Sequence, residues 1–197
     1  MKKILFVFMM VFLLNACSSV KSKDITIEPY SLSDKEQQLV DQTGVDMIEF
    51  FKLNGDLNGL DLHLSIEVYE DGEFKEEILQ MYGMLEDTFE DEFVSFALSK
   101  YDVSEDERVF NLKINSPSGS IGGTSYPSLE VASTYGLLLE EKITLEKDVP
   151  AYLAGWAGTT KDTLSSLHAE KGQLPENINQ YEQALLFKIV LTEASEE

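Results

Sequence analysis

The chain of 197 residues carries 36 acidic and 15 basic residues, which gives it a formal net charge of −21 at pH 7. An excess of negative charge opposes binding to nucleic acid and to anionic membrane surfaces, so we expect no nucleic-acid partner. Hydrophobic residues make up 43% of the chain and aromatic residues 10%, which favours a folded domain over disorder. Because the chain has one cysteine, no internal disulfide can form.

The first 17 residues have the three parts of a secretory signal. Lys2 and Lys3 form a short basic region, and residues 4–14 form an unbroken apolar run of 11 residues. A helix that crosses the hydrocarbon core needs about 20 apolar residues, so this run is too short for a permanent anchor. The run ends in Leu-Asn-Ala-Cys, with a small residue directly before Cys17. This pattern predicts a signal peptide that is removed from the mature protein.

The end of the signal resembles the lipobox of bacterial lipoproteins, which has Leu at the third position before the cysteine and Ala or Gly directly before it. Leu14, Ala16 and Cys17 match this motif, whereas Asn15 departs from the usual small or hydroxyl residue. The resemblance implies cleavage between Ala16 and Cys17 and a diacylglyceryl group on Cys17. Two acyl chains suit stable anchoring, since a single chain binds membranes only marginally. The expected location is the outer face of the cytoplasmic membrane.

Cleavage would divide the chain into a signal peptide of residues 1–16, a lipidated cysteine with a polar tether over residues 17–29, and a domain over residues 30–197. Loss of the two signal lysines leaves 13 basic and 36 acidic residues, a net charge of −23. Eleven extended residues span at most about 36 Å, so we expect the domain to stay near the membrane. The Gly-, Ser- and Pro-rich segment 116–123 predicts a flexible connection or an internal boundary near residues 116–125.

The first predicted elements are a helix and a hairpin. Ser33 and Glu36 have the spacing of a capping box, which predicts a short helix over residues 34–42. From residue 60 to residue 69, aliphatic residues alternate with polar ones, which is typical of a strand with one buried face. A turn and a returning strand over residues 74–82 complete the predicted hairpin.

The second half of the chain contains further strand patterns. Residues 94–98 and 110–114 repeat the alternation on either side of an acidic loop over residues 102–107. Residues 184–192 are apolar on both faces, which is typical of a central strand covered on both sides. We therefore expect a mainly β fold, an antiparallel β-sandwich or open barrel with one or two short helices. The remaining predicted elements are strands over residues 129–135, 142–146 and 152–156 and a helix over residues 161–170.

The layout of a lipobox, a short helix, a long leucine-alternating hairpin and a buried final strand resembles small uncharacterised lipoproteins of Gram-positive bacteria. That resemblance implies no functional residue beyond the first 17. The sequence also lacks G-x-S-x-G, H-E-x-x-H, C-x-x-C and glycine-rich phosphate-binding motifs. We expect His63 on the outer face of a strand and His168 in a polar helix, both as surface residues. The sequence therefore indicates no catalytic residue and no cofactor.

One segment resembles the start of a calcium-binding loop. Residues 54–59 fit that pattern in five of six positions, with Asn54, Asp56 and Asn58 as the candidate ligands. The twelfth position needs a bidentate Glu but is Ser65, and a strand follows instead of a helix. Because a plain Asn-Gly turn explains the same residues, we expect calcium binding to be absent or millimolar.

Two interpretations of the aromatic residues bear on function. Tyr126, Tyr135, Tyr152 and Trp156 either fill the core or line a groove for a carbohydrate or a peptide. Together with the anchor, this composition favours a non-enzymatic binding or interaction module that holds an envelope protein, a wall polymer or a small ligand. The alternatives are an envelope-acting hydrolase that uses surface carboxylates and a structural subunit of a membrane complex.

Overall fold

The computed structural model describes residues 23–104, 108–125, 132–161 and 164–194. Within these ranges the chain forms eleven strands, one α-helix and one turn of 3-10 helix. The helix, α1, spans Asp34–Asp41, and the 3-10 turn spans Ile178–Gln180. The strands are β1 (Thr26–Pro29), β2 (Met47–Asp56), β3 (Leu60–Glu70), β4 (Glu73–Met81), β5 (Thr88–Asp102), β6 (Arg108–Ser116), β7 (Gly119–Ser125), β8 (Ala132–Leu137), β9 (Ile143–Thr144), β10 (Ala151–Thr159) and β11 (Gln183–Glu193).

In the described part of the chain these strands form two sheets, and neighbouring strands are antiparallel throughout. The first sheet has the strand order β7-β6-β5-β2-β1-β9, and the second has the order β4-β3-β11-β10-β8. The predicted mainly β, antiparallel fold is confirmed as two packed sheets. Strands from both halves of the chain contribute to each sheet.

The hydrophobic core lies between the two sheets, because alternation along each strand directs every second side chain inward. Phe187 stacks on Phe96 with ring centroids 5.5 Å apart and packs against Phe51 at 6.2 Å. Phe110 and Trp156 meet edge to face at 4.6 Å. All five rings are fully buried, so they remove a large apolar area from water and stabilise the fold without a disulfide.

Several predicted elements are confirmed by the structure. The predicted helix corresponds to α1, where the Glu36 carboxylate accepts the Ser33 backbone N–H at 2.8 Å as part of a capping box. The predicted hairpin corresponds to β3 and β4, and the alternating runs lie within β5 and β6. The final strand, β11, lies between β3 and β10 and is buried on both faces, as its apolar composition predicts.

Two predicted elements differ from the structure. The segment predicted as a flexible connection forms the hairpin turn between β6 and β7 and the start of β7. Gly123 has a packing role there, since a Cβ atom at this position would lie 2.8 Å from the Leu79 side chain. Residues 164–170 of the predicted helix are irregular and extended along the outer face of the second sheet. Leu167 and Ala169 are buried there, and this spacing of two suits an extended segment better than a helix.

Three strands, β1, β2 and β7, lie where no strand was predicted. Thr26–Pro29, within the predicted tether, pairs with β2 as strand β1. Ile25 and Ile27 are 2% and 0% exposed, so this short segment belongs to the core. The predicted signal peptide and Cys17 lie outside the described residues. Among the residues that are described, the one α-helix is too short and too polar to cross a membrane.

Candidate functional site

The candidate calcium ligands lie at the turn between β2 and β3, and each has its own protein partner. Asn54 Oδ1 accepts the backbone N–H of Asp91 at 2.9 Å. Asp56 Oδ2 accepts the backbone N–H of Lys23 at 2.8 Å, and Asn58 Nδ2 donates to the Asp56 backbone oxygen at 2.8 Å. Across the four described ranges, no group of three or more His, Cys, Asp or Glu side chains is placed to hold a metal ion.

The two histidines occupy different environments. His168 is exposed as predicted, but His63 is only 7% exposed, so its prediction as a surface residue is wrong. The His63 ring stacks on Tyr82 with centroids 3.9 Å apart, and its Nε2 lies 3.8 Å from Glu77 Oε1. Within the described residues, Nε2 has no hydrogen-bond partner. Burial, helped by the Lys188 charge, lowers the pKa of His63 against the opposing effect of nearby carboxylates.

A charged triad of Lys188, Glu67 and Glu77 explains why the polar face of β3 is buried, contrary to the prediction of one buried face. Lys188 Nζ donates to Glu67 Oε1 at 2.6 Å and to Glu77 Oε1 at 2.5 Å. The three side chains come from the adjacent strands β11, β3 and β4 and are 10% to 22% exposed. Burial alone would lower the pKa of Lys188 and raise the pKa of Glu77. The bonds within the charged triad outweigh burial, so the pKa of Lys188 is raised and the pKa of Glu77 is lowered.

Three hydroxyl groups complete the network around the charged triad. Ser65 Oγ donates to Glu77 Oε1 at 2.5 Å. The hydroxyls of Tyr69 and Tyr152 both donate to Glu67 Oε2, at 2.8 and 2.9 Å. Burial raises the pKa of Tyr69 to about 12 and raises the pKa of Tyr152 as well, so both phenols remain protonated donors.

The charged triad is not arranged for nucleophilic catalysis. Ser65 is the register partner of Lys188 on the neighbouring strand, and a serine is activated by a lysine only when the amine is neutral. The raised pKa of Lys188 keeps its amine protonated, and Ser65 is fully buried. We therefore assign this network to stability rather than to chemistry.

A second candidate site is a cleft of about 330 Å³ between α1, the start of β2 and β8. We call it the β8 cleft. Its lining combines apolar and aromatic side chains with three carboxylates. Among the described residues that line it there is no lysine, arginine or histidine. The lining includes Tyr30, Asp41, Asp46, Glu49, Tyr135 and Leu137.

Glu49 occupies a position on β2 that faces the core. Met47 and Phe51, its neighbours on the same face of the strand, are 3% and 0% exposed, and its register partner Phe96 is fully buried. Across the described residues, Glu49 has neither an ion-pair partner nor a hydrogen-bond partner. Burial raises the pKa of its carboxyl above the usual value. A carboxylate is thus placed among apolar neighbours on β2, and it lines the β8 cleft.

The other wall of the β8 cleft is an uncovered part of the second sheet. Tyr135 and Leu137 lie on the same face as Trp156 and Ala154, their buried register partners on β10. Tyr135 nevertheless remains 52% exposed and Leu137 37% exposed. In the part of the chain that the structure describes, β8 pairs only with β10, so its second edge is free. Among the described residues, the sandwich is therefore open at this corner.

These positions resolve part of the sequence analysis. Tyr152 and Trp156 are buried and fill the core, Tyr135 lines the β8 cleft, and Tyr126 lies outside the described residues. Sequence reasoning missed both Glu49 and Lys188. Each is a single charged residue inside an apolar run, a pattern that indicates a buried charge. Glu49 lies in Met-Ile-Glu-Phe-Phe, and Lys188 lies in Leu-Leu-Phe-Lys-Ile-Val.

The family model of the YgaN domain matches residues 26–191. The match begins at the first residue of β1 and ends within β11, so it contains the β8 cleft and the charged triad. No curated protein and no solved structure matches the chain.

Proposed function

The chain belongs to the YgaN domain family, and we propose that it is a lipid-anchored extracytoplasmic protein that binds a partner in the β8 cleft. The anchor is a diacylglyceryl group on Cys17, which becomes the first residue after cleavage behind Ala16. The partner is a protein or a wall polymer of the cell envelope. The activity is binding, with no chemical step.

The lipobox supports the anchor, and the start of the fold supports a short distance to the membrane. Among the described residues, buried core side chains begin at Ile25, which is 2% exposed, so at most residues 18–24 and the proposed lipidated cysteine lie before this core residue. Seven extended residues span at most about 24 Å. The tether then keeps the β8 cleft close to the membrane, within reach of envelope components.

The observation that carries the binding role is the isolated Glu49 carboxylate. A charged group in an apolar environment is unfavourable unless a partner neutralises it. The charged triad shows how this chain satisfies buried charges elsewhere, with short bonds to Lys188. Glu49 lacks such a partner among the described residues, and it faces an open cleft with aromatic walls. These are the features of a ligand site with a few convergent polar groups.

The anchor is tested by changing Cys17 to Ser in cells supplied with a labelled fatty acid. We expect wild-type protein in the membrane fraction with label, and the Cys17→Ser protein without label. Ser19→Ala, two residues further on, is the matched control and should be labelled normally. Wild-type protein that is fully soluble and unlabelled would contradict the anchor.

A second candidate is the envelope-acting hydrolase, which the raised pKa of Glu49 favours. A general acid needs such a shift in order to hold its proton near neutral pH, and Asp46 lines the same cleft as a second carboxylate. Turnover of peptidoglycan fragments that Glu49→Gln abolishes would support the hydrolase. Wild-type protein that binds these fragments without turnover would support the binding role instead.

A further inference from the structure

We infer that the β8 cleft binds an extended polypeptide segment that pairs with the free edge of β8 and places a lysine or arginine side chain against Glu49. This inference rests on the proposed binding function and adds the chemical class of the partner. It is carried by charge complementarity, by the free strand edge and by the apolar walls.

Charge complementarity selects a cationic group. Asp41, Asp46 and Glu49 line the β8 cleft, and its described lining has no basic side chain. The rest of the chain is also strongly acidic, so a cation is attracted over a distance as well as in contact. A metal ion is a weaker match than an amine or a guanidinium. Over the described ranges, no set of three acidic, histidine or cysteine side chains is placed for metal coordination.

The free edge of β8 selects a polypeptide over a small amine. Ala132–Leu137 is six residues long, about 20 Å of strand, and its second edge is free among the described residues. Unpaired N–H and C=O groups along such an edge form main-chain hydrogen bonds with an added strand. A free diamine or a glycan would leave these backbone groups without strand partners.

The walls of the cleft define the expected sequence pattern of the partner. Side chains of an added strand alternate between its two faces, so every second residue points toward the cleft. Tyr135 and Leu137 follow the same alternation on β8 and present an apolar surface. A basic residue that reaches Glu49 therefore has apolar residues two positions before and after it. The expected segment has the pattern apolar-x-Lys/Arg-x-apolar.

The test uses a fluorescent nine-residue peptide in which valine and threonine alternate and the central residue is lysine. Valines therefore lie two residues before and two residues after the lysine. It is titrated against the full mature protein, extracted with its lipid in detergent, and followed by fluorescence anisotropy. We expect saturable binding that weakens at least tenfold with Glu49→Gln, a change that keeps the side-chain shape. The matched control is Glu86→Gln, an exposed carboxylate outside the cleft lining, which should bind like wild type.

Three further probes separate the parts of the inference. Replacing the central lysine by norleucine should weaken binding as much as Glu49→Gln does. Methylation of alternate backbone nitrogens, which blocks strand pairing, should abolish binding. Tyr135→Ala should weaken it through loss of the apolar wall. Circular dichroism and melting curves of each protein variant confirm that it is folded.

Equal affinity for the lysine and norleucine peptides, or no effect of Glu49→Gln, would overturn the inference. Binding of cadaverine or of a wall glycan in place of the peptide, lost with Glu49→Gln, would also overturn it while leaving the binding function in place. Failure of the Cys17 labelling experiment would refute the anchored function even if the peptide binds. The two failures are therefore distinguishable.

Discussion

Replacing Lys188 by Met should destabilise the domain, because two carboxylates would face each other without their shared cation. Met has a similar length and fills the space, so the variant removes charge with little change in packing. Loss of one partner from a buried ion pair costs about 3–5 kcal/mol. Since the side chain of Glu77 is 22% exposed and water reaches it, we expect the lower end, about 3 kcal/mol. The melting temperature should then fall by roughly 6–12 °C for a domain of this size.

Thermal and urea unfolding, each followed by circular dichroism, measure this change. The matched control is Lys147→Met, which removes an exposed ion pair with Glu193 and should leave the melting temperature within error. Adding Glu67→Gln and Glu77→Gln to Lys188→Met should recover part of the loss, because no unpaired charge remains. A Lys188→Met melting temperature equal to that of the Lys147→Met control would contradict a stabilising role for Lys188.

Three further predictions concern other residues. The lowered pKa of His63 means that the folded state binds its proton less readily than the unfolded state, so the free energy of unfolding should fall as the pH drops below about 6.5. His63→Gln should remove this pH dependence, measured by urea unfolding at a series of pH values. Gly55→Ala should destabilise more than Gly59→Ala in the same assay, since both have positive φ but only a Cβ at position 55 would lie 2.3 Å from the Asp24 oxygen. Calorimetry should detect no micromolar calcium binding, and binding that Asp56→Ala abolishes would contradict this.

The fold was predictable where the signal is local. β3 and β11 are long strands whose side-chain patterns are complete within about ten residues, so period-two alternation and continuous apolarity identify them. β2 has no such signal, because its core face includes the charged Glu49 while its outer face includes the apolar Ile48 and Phe50. Thr26–Pro29 is too short for periodicity to appear at all.

The charged triad and the β8 cleft were less predictable, because both depend on how distant strands are arranged. The sequence places Lys188 far from Glu67 and Glu77, and only the order β4-β3-β11 brings the three together. His63 was predicted on the outer face of its strand, but that face proved to be covered. Glu49 is a candidate binding residue only because the opposite wall of the β8 cleft, which contains Tyr135, is exposed. The apparent calcium ligands are a local motif in the sequence, but Asn54 and Asp56 accept hydrogen bonds from residues distant in the chain, Asp91 and Lys23.

The most direct test of the account is photo-crosslinking from the β8 cleft in intact cells that carry the lipidated protein. A photoreactive amino acid replaces Tyr135, and in a control protein it replaces Phe74, which is similarly exposed on the edge strand β4. We expect a defined polypeptide adduct from position 135 that is lost with Glu49→Gln and is not formed from position 74. The same adducts from both positions, or adducts from position 135 that do not depend on Glu49, would contradict it.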